Sequence, residues 1–322
     1  MEKITISVLG NPAETVLGGL SALGGGVNLL TAKTVEELGP EASTTKILFN
    51  WTGSQDEVIK LMAVAPDLEW IHSRYAGLDK LLFPELIASP VPLTNGSGVF
   101  SQSLGEFIIA GILYFAKDLV RMKKAQAEKR WEVFDVREIR NRTLGIVGYG
   151  DIGRAIASRA QALGMTVLGH RRLTEWREGD QFVAKIYASD QLHEMLPLCD
   201  FVAVAAPLTP STFHMMSTAE FNAMKPEAIV MNVGRGPVID EAAMVAALQA
   251  GTIAGACLDV FEVEPLPPDS PLWDMENVLI SAHTADHTQD WLDDAVRFFV
   301  EQYGRWTRGE TLKNVVDKHA GY

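Results

Sequence analysis

The chain has 322 residues, 47% of them hydrophobic and 21% charged, an ordinary globular composition and enough length for two domains with cores of their own. Its 41 acidic and 28 basic side chains leave a formal charge of -13. That balance repels phosphate backbones and anionic lipid at long range, so nucleic acid and membrane surfaces are not expected as partners, and a small anionic ligand has to meet a locally positive pocket.

The opening stretch MEKITISVLG alternates like a strand and lacks the basic start, apolar core and cleavage site of a secretory signal. Over the first hundred residues the strand-like runs ITISVL, TKILFNW, LEWIHS and VPLTN alternate with helical stretches such as SQDEVIKLMAVA, the pattern of a parallel α/β sheet. The longest apolar run, Phe107 to Ala116, falls well short of the ~20 residues that span a membrane and predicts a helix buried between domains. The basic stretch RMKKAQAEKRWEVFDVREIRNR that follows reads as a solvated helix face and connector.

A second α/β series then runs TLGIVGYG, TVLGHR, FVAVAAP, AIVMNVG, GACLDV and VLISAH, which predicts a doubly wound nucleotide-binding domain. Its first turn carries Gly148, Gly150 and Gly153 in G-x-G-x-x-G spacing, and Ile152, Ile156, Ala160 and Leu163 mark the apolar stripe of a following helix. Such glycines allow a tight turn, close approach of backbone to a pyrophosphate, and close packing of helix on strand. The helix N-terminus then offers free N–H groups to the phosphates. An NAD site usually ends its second strand in a carboxylate that accepts from the ribose 2′-hydroxyl. Here that strand ends in His170, Arg171 and Arg172. Guanidinium groups suit a 2′-phosphate, which predicts NADP(H); the alternative is a solvated basic turn. Cys199 and Cys257 lie far apart in apolar runs, reading as core thiols in a reducing, cytoplasmic setting.

Downstream stand NVGRGPVIDEAAM, DVFEVEPLP and SAHTA. In order and spacing these resemble the N-x-x-R-G-x-x-[VI]-D-E, D-V-F-x-x-E-P-L and S/T-P-H-x-A segments of the D-isomer-specific 2-hydroxyacid dehydrogenases, and the resemblance covers nearly the whole chain. It implies that Arg235 holds a substrate carboxylate and polarises the carbonyl, that His283 is the general acid, and that Glu264 hydrogen-bonds the other imidazole nitrogen. It further implies that Asp259 holds the nicotinamide carboxamide, that Asp151, Ile152, Pro207 and Val233 line the cofactor with the glycines, and that the main chain of Tyr75, Ala76 and Gly77 meets the substrate carboxylate as an anion nest. Ala282 and Asp286 stand where the family usually has proline and glycine. His287 competes with His283 for the acid role; the pair lacks the glutamate of H-E-x-x-H and a nearby cysteine, so no metal is expected.

The implied reaction is NADPH-dependent reduction of a small 2-oxo acid such as glyoxylate, hydroxypyruvate or pyruvate, with Trp51, Tyr75 and Phe100 limiting the pocket. Aromatic 2-oxo acids are the alternative substrates. A formate dehydrogenase pairs its histidine with glutamine, against which Glu264 counts, and a dinucleotide-sensing corepressor is the reading outside catalysis. The implied fold is a Rossmann-type domain over 99–289 and a flavodoxin-like substrate domain made from 1–98 and 290–322. The second piece is expected to pack back on the first because Leu292, Ala295, Phe299, Tyr303 and Trp306 form a helical stripe. Flat apolar faces point to a homodimer.

Overall fold

A computed structural model describes residues 3–322; Met1 and Glu2 lie outside the described residues. Two compact units emerge. The first ends at Phe100 and resumes over Gln289–Tyr322, and the second is Ser101–Thr288.

The first unit holds β1 (Ile4–Leu9), β2 (Val27–Ala32), β3 (Thr45–Asn50), β4 (Trp70–Ser73) and β5 (Leu93–Thr94) in the order β2-β1-β3-β4-β5, with every pair parallel. This is the flavodoxin-like order, which has a switch point between β1 and β3. β1, β3 and β4 are buried almost throughout, as parallel strands covered on both faces must be. β2 is not among the strands read from the sequence. It is an edge strand, mostly half-exposed, and its polar Asn28 and exposed Leu29 break the apolar run.

The helix Trp291–Thr307 covers one face of this sheet. Of the stripe read from the sequence, Ala295, Phe299 and Tyr303 are buried, joined by Val296 and Gln302, while Leu292 and Trp306 are only partly covered. Phe299 stacks on Phe49 with ring centroids 4.2 Å apart and on Trp70 at 5.4 Å. Full burial of such a side chain stabilises by about 1.5–3 kcal/mol, so this contact alone favours docking of the helix. Gln302 fixes the next segment with both ends of its amide, accepting from Lys313 N at 3.0 Å and donating to Lys313 O at 2.6 Å. His72 lies fully buried among the same rings, bonded to Thr94 Oγ1 at 2.7 Å; burial lowers its pKa to about 3, so it is a neutral core residue.

The second unit holds β6 (Thr143–Val147), β7 (Thr166–His170), β8 (Lys185–Tyr187), β9 (Phe201–Val204), β10 (Ile229–Asn232), β11 (Gly255–Leu258) and β12 (Val278–Ile280) in the order β12-β11-β10-β9-β6-β7-β8. The chain winds from β6 to one side through β7 and β8, then to the other through β9 to β12, which is the doubly wound order. β8 is the strand the sequence reading omits: only three residues, one of them the exposed Lys185, too short to show a period.

The apolar run at Phe107 belongs to a longer helix, Ser101–Ala116, and that helix is not buried on every face. Leu104, Ile108, Ile112 and Ala116 are buried, whereas Phe107, Ile109 and Leu113 are partly covered and Ala110 is exposed. Its buried side crosses the helix Asp151–Ala162 at Gly105, where a Cβ would stand 3.1 Å from the Ala155 carbonyl. In that second helix Ile156 and Ala160 are buried as expected from their spacing, but Leu163 lies past the helix end and is 42% exposed. Both cysteines are free and buried, burial pushing each thiol up to about 12. Among the described residues no helix is long and apolar enough to cross a membrane.

Candidate active site

The carboxyl ends of β6 and β7 carry the glycine turn and the basic turn. Gly148 has φ +87°, and a Cβ there would lie 2.4 Å from backbone atoms of Ala206, so only glycine fits. Gly150 caps the helix Asp151–Ala162, and no atom lies within 4 Å of where its Cβ would stand. The helix N-terminus is thus open to a close-lying phosphate, and the residues present fit a dinucleotide. Gly153 packs the helix on the strand: a Cβ would meet Ile146 at 3.2 Å. Asp151 accepts from Ser101 Oγ, Ile152 is half-buried, and Pro207 and Val233 follow β9 and β10, Val233 buried and Pro207 partly so.

The basic turn is not three equivalent cations. His170 is buried, its Nε2 lies 3.3 Å from Ser189 O, and burial lowers its pKa. Its contribution is main chain, since His170 O accepts from Gly148 N and Tyr149 N at 3.0 and 2.9 Å. The Arg171 fork is turned inward and binds both oxygens of fully buried Asp180, the nearer contact 2.7 Å. Burial pushes the Asp180 carboxyl up, but hydrogen bonds from Arg171, the Arg177 N–H and Arg154 outweigh it and hold the group below the usual range. Arg172 is the exposed member of the pair. The sequence reading missed this division because Asp180 is nine residues away in a loop with no periodic signal.

Arg235, Glu264 and His283 follow β10, β11 and β12, three neighbouring strands of one sheet. The Arg235 turn is braced by Asn232, whose Nδ2 donates to Arg235 O at 3.1 Å and whose Oδ1 accepts from Gly234 N at 3.0 Å. It presses so closely on the next turn that a Cβ at Gly236 would fall 1.8 Å from Phe261 O. Glu264 accepts from Phe261 N at 3.1 Å through one oxygen and sits 2.8 Å from His283 Nδ1 through the other. His283 adopts φ 54°, a left-handed conformation uncommon outside glycine. Asp259 sustains it: its carbonyl accepts from His283 N at 2.8 Å, and its buried Oδ1 accepts from Thr284 N and Ala285 N at 2.9 and 3.1 Å. With Nδ1 committed to Glu264, Nε2 of His283 has no partner among the described residues.

In the first unit, Tyr75, Ala76 and Gly77 follow β4. The carbonyls of Tyr75 and Ala76 are held by Gly96 N at 3.2 Å and Asn95 Nδ2 at 2.7 Å, and the amides of all three residues have no acceptor among the described residues. Of the three aromatic side chains expected to limit a substrate pocket, Tyr75 is 45% exposed, but Trp51 is fully buried. Its indole donates to Glu14 at 2.8 Å, and Arg74 lies on its face. Phe100 packs on Trp291.

Residues 109–285 match the family model described as D-isomer specific 2-hydroxyacid dehydrogenase, NAD binding domain. The chain is 34% identical to a glyoxylate reductase of Korarchaeum cryptofilum, over 80% of this chain and 79% of that one. It is 35% identical to a glyoxylate/hydroxypyruvate reductase B of Salmonella paratyphi A, over 81% of each. The chain belongs to the D-isomer specific 2-hydroxyacid dehydrogenase family. Two solved structures are similar over the full length of both chains: a D-isomer specific 2-hydroxyacid dehydrogenase from Xanthobacter autotrophicus in complex with NADPH and MES (TM-score 0.84, 30% identity), and an NADPH-dependent glyoxylate/hydroxypyruvate reductase from Sinorhizobium meliloti in complex with NADP and sulfate (TM-score 0.85, 28% identity).

In this 2-hydroxyacid dehydrogenase Asp286 is half-buried, with Oδ1 making no hydrogen bond among the described residues. Burial, then the like charge of Asp259, push its carboxyl up, opposed by His287 and His283. His287 lies 3.7 Å from that carboxylate. Neither these histidines nor the two cysteines form a cluster of three metal-ligating groups among the described residues. The structure groups His214, Asp240 and Glu262 instead, with donor atoms within 4.8 Å of one another. Those atoms already have local work. Asp240 accepts from Ala243 N at 3.0 Å and Ser217 Oγ at 2.8 Å, and Glu262 accepts from Glu241 N at 3.0 Å and lies 2.7 Å from His214 Nε2.

Proposed function

We propose that this 2-hydroxyacid dehydrogenase reduces a small 2-oxo acid to the D-2-hydroxy acid with NADPH. The observation that carries the reading is the His283–Glu264 pair, 2.8 Å apart, on the strand ends beside Arg235. Arg235 binds the carboxylate and polarises the carbonyl, because its planar fork suits a bidentate anion. His283 gives the proton on Nε2 to the carbonyl oxygen, and Glu264 holds the ring in the orientation that presents that nitrogen. In the first unit, the amides of Tyr75, Ala76 and Gly77 form an anion nest suited to a carboxylate. The reduced nicotinamide, when bound, supplies the hydride for C2. Asp259, already committed through Oδ1 to its loop, keeps its second oxygen for the carboxamide.

The second unit is the dinucleotide-binding domain, a reading supported by the family model lying within it, and the first is the substrate domain. Gly148, Gly150, Gly153 and the helix N-terminus at Asp151 and Ile152 take the pyrophosphate, with Pro207 and Val233 as apolar lining. Arg172 takes the 2′-phosphate. NADPH and NADP in the two structural neighbours support this cofactor, and the relatives named glyoxylate reductase support a small substrate. Steady-state kinetics with glyoxylate, hydroxypyruvate, pyruvate and phenylpyruvate, each with NADPH and NADH, tests the reading. One charge-assisted contact to the 2′-phosphate predicts a roughly 10- to 150-fold preference for NADPH. Equal efficiency with both cofactors defeats the NADP assignment. Dinucleotide binding without turnover favours a sensor, and best turnover of phenylpyruvate defeats the small-substrate reading.

A homodimer is the assembly we assign. Trp131 and Val133 are 96% and 87% exposed in an irregular segment of the second unit, large apolar surface of the kind that subunit interfaces cover. Light scattering should return about twice the chain mass of 35.2 kDa; a monomer mass rejects the assignment.

A further inference from the structure

Arg74 lies immediately past the end of β4 and is only 6% exposed. Alternation along the strand points Trp70 and His72 toward the terminal helix, where both rings lie near Phe299, and Arg74 continues on that side. Its guanidinium carbon stands 4.4 Å from the Trp51 ring centroid, 4.4 Å from that of Tyr75 and 5.4 Å from that of Trp291. Aromatic faces replace part of the water a cation loses on burial, but they leave in-plane N–H groups unsatisfied. A guanidinium has five such donors. Among the described residues this one makes a single side-chain hydrogen bond, to the Tyr75 hydroxyl, and no ion pair. Its Nε is buried without an acceptor. Every other deeply buried arginine fork would be expected to hold a carboxylate, as Arg171 holds Asp180.

A buried charge with no counter-ion destabilises the free protein, so a gain elsewhere is expected to offset it. The neighbouring loop offers one. The amides of Tyr75, Ala76 and Gly77 are without acceptors while the carbonyls of Tyr75 and Ala76 are tied down by Gly96 and Asn95. Unpaired donors and an unpaired cation therefore meet at one carboxyl end of a parallel sheet, where ligands of such sheets bind. In a low-dielectric setting a fixed charge acts over several ångströms without touching the ligand, and a guanidinium keeps that charge at every accessible pH.

We infer that Arg74 is a specificity-determining residue: it supplies the fixed positive charge behind the Tyr75–Gly77 amides and makes that loop select a carboxylate over an uncharged group. This rests on the reading that the loop receives the carboxylate of a 2-oxo acid. The amides orient the group, the tyrosine and tryptophan rings hold the guanidinium in place, and the charge supplies the discrimination.

The test compares the 2-oxo acid that the wild type reduces best with its methyl ester, in wild type, R74Q, R74M and R74K, with NADPH saturating. Loss of a charge-assisted interaction should raise KM for the acid about 10- to 100-fold in R74Q and R74M, with the loss falling on KM rather than kcat and KM for NADPH unmoved. The ester should be little affected, and R74K, which keeps the charge, should restore most of the affinity for the acid. Equal losses for acid and ester, or an R74K as impaired as R74Q, would make the effect one of loop shape and overturn the inference. So would failure of both neutral variants to fold, which would make Arg74 a structural cation. Oxalate titrated calorimetrically into wild type and R74Q reads the same site without turnover: weaker binding in R74Q is expected, and equal binding overturns the inference. A wild type that reduces no 2-oxo acid defeats the function reading instead, and the oxalate titration still decides the role of Arg74.

Discussion

Replacing His283 by alanine should lower kcat by about 10²- to 10⁴-fold, the range for a positioned general acid, while KM for NADPH stays nearly unchanged. The side chain is 41% exposed and, among the described residues, its one hydrogen-bond tie is to Glu264, so its loss removes a proton donor without opening the core. The backbone that presents it is held independently by Asp259. His287→Ala should cost far less, since its ring lies 3.7 Å from the Asp286 carboxylate, a looser contact than the 2.8 Å one that orients His283 on Glu264. Steady-state kinetics on both variants decides between the histidines; a larger loss in His287→Ala would transfer the acid role to that residue. Glu264→Ala should fall between the two, because the imidazole remains but loses the carboxylate that orients it.

The two arginines of the basic turn should separate cleanly. Arg172→Ala should lower kcat/KM for NADPH about 10- to 150-fold and leave NADH almost untouched, since of the two cofactors only NADPH carries the 2′-phosphate. The NADPH preference should also shrink as salt rises, because the site is exposed and screened. Arg171→Ala should act on stability instead. It leaves fully buried Asp180 with Arg154 at 2.9 Å and the Arg177 N–H, so we expect a loss of about 3 kcal/mol, the lower end for breaking a buried pair. The sign of the pH dependence follows from the lowered Asp180 pKa. The contribution is complete above the ordinary aspartate value near ~4 and disappears as pH falls through the folded value. Denaturation midpoints of wild type and Arg171→Ala should therefore converge in acid. A variant as stable as wild type at neutral pH, with impaired NADPH use, would return Arg171 to the phosphate site.

The sequence by itself determined the parts of this protein that repeat at short range. Strands buried on both faces read as continuous apolar runs, as in β6, β9 and β10, and the glycine spacing that opens the helix Asp151–Ala162 is a local backbone requirement. The terminal stripe from Leu292 to Trp306 demanded a covering surface wherever it lay. Edge strands escaped, because β2 and the three-residue β8 are half-exposed or too short to carry a period. Only the tertiary structure decided which polar groups meet. Nothing near Arg171 in the chain announces Asp180 as its partner, so three cations in a row became one buried imidazole, one buried ion pair and one exposed guanidinium. In the same way Trp51 and Trp291, 240 positions apart in the chain, meet over Arg74. Apolar periodicity follows from the geometry of single elements, whereas pairing of charges depends on distances across the fold, which no local pattern encodes.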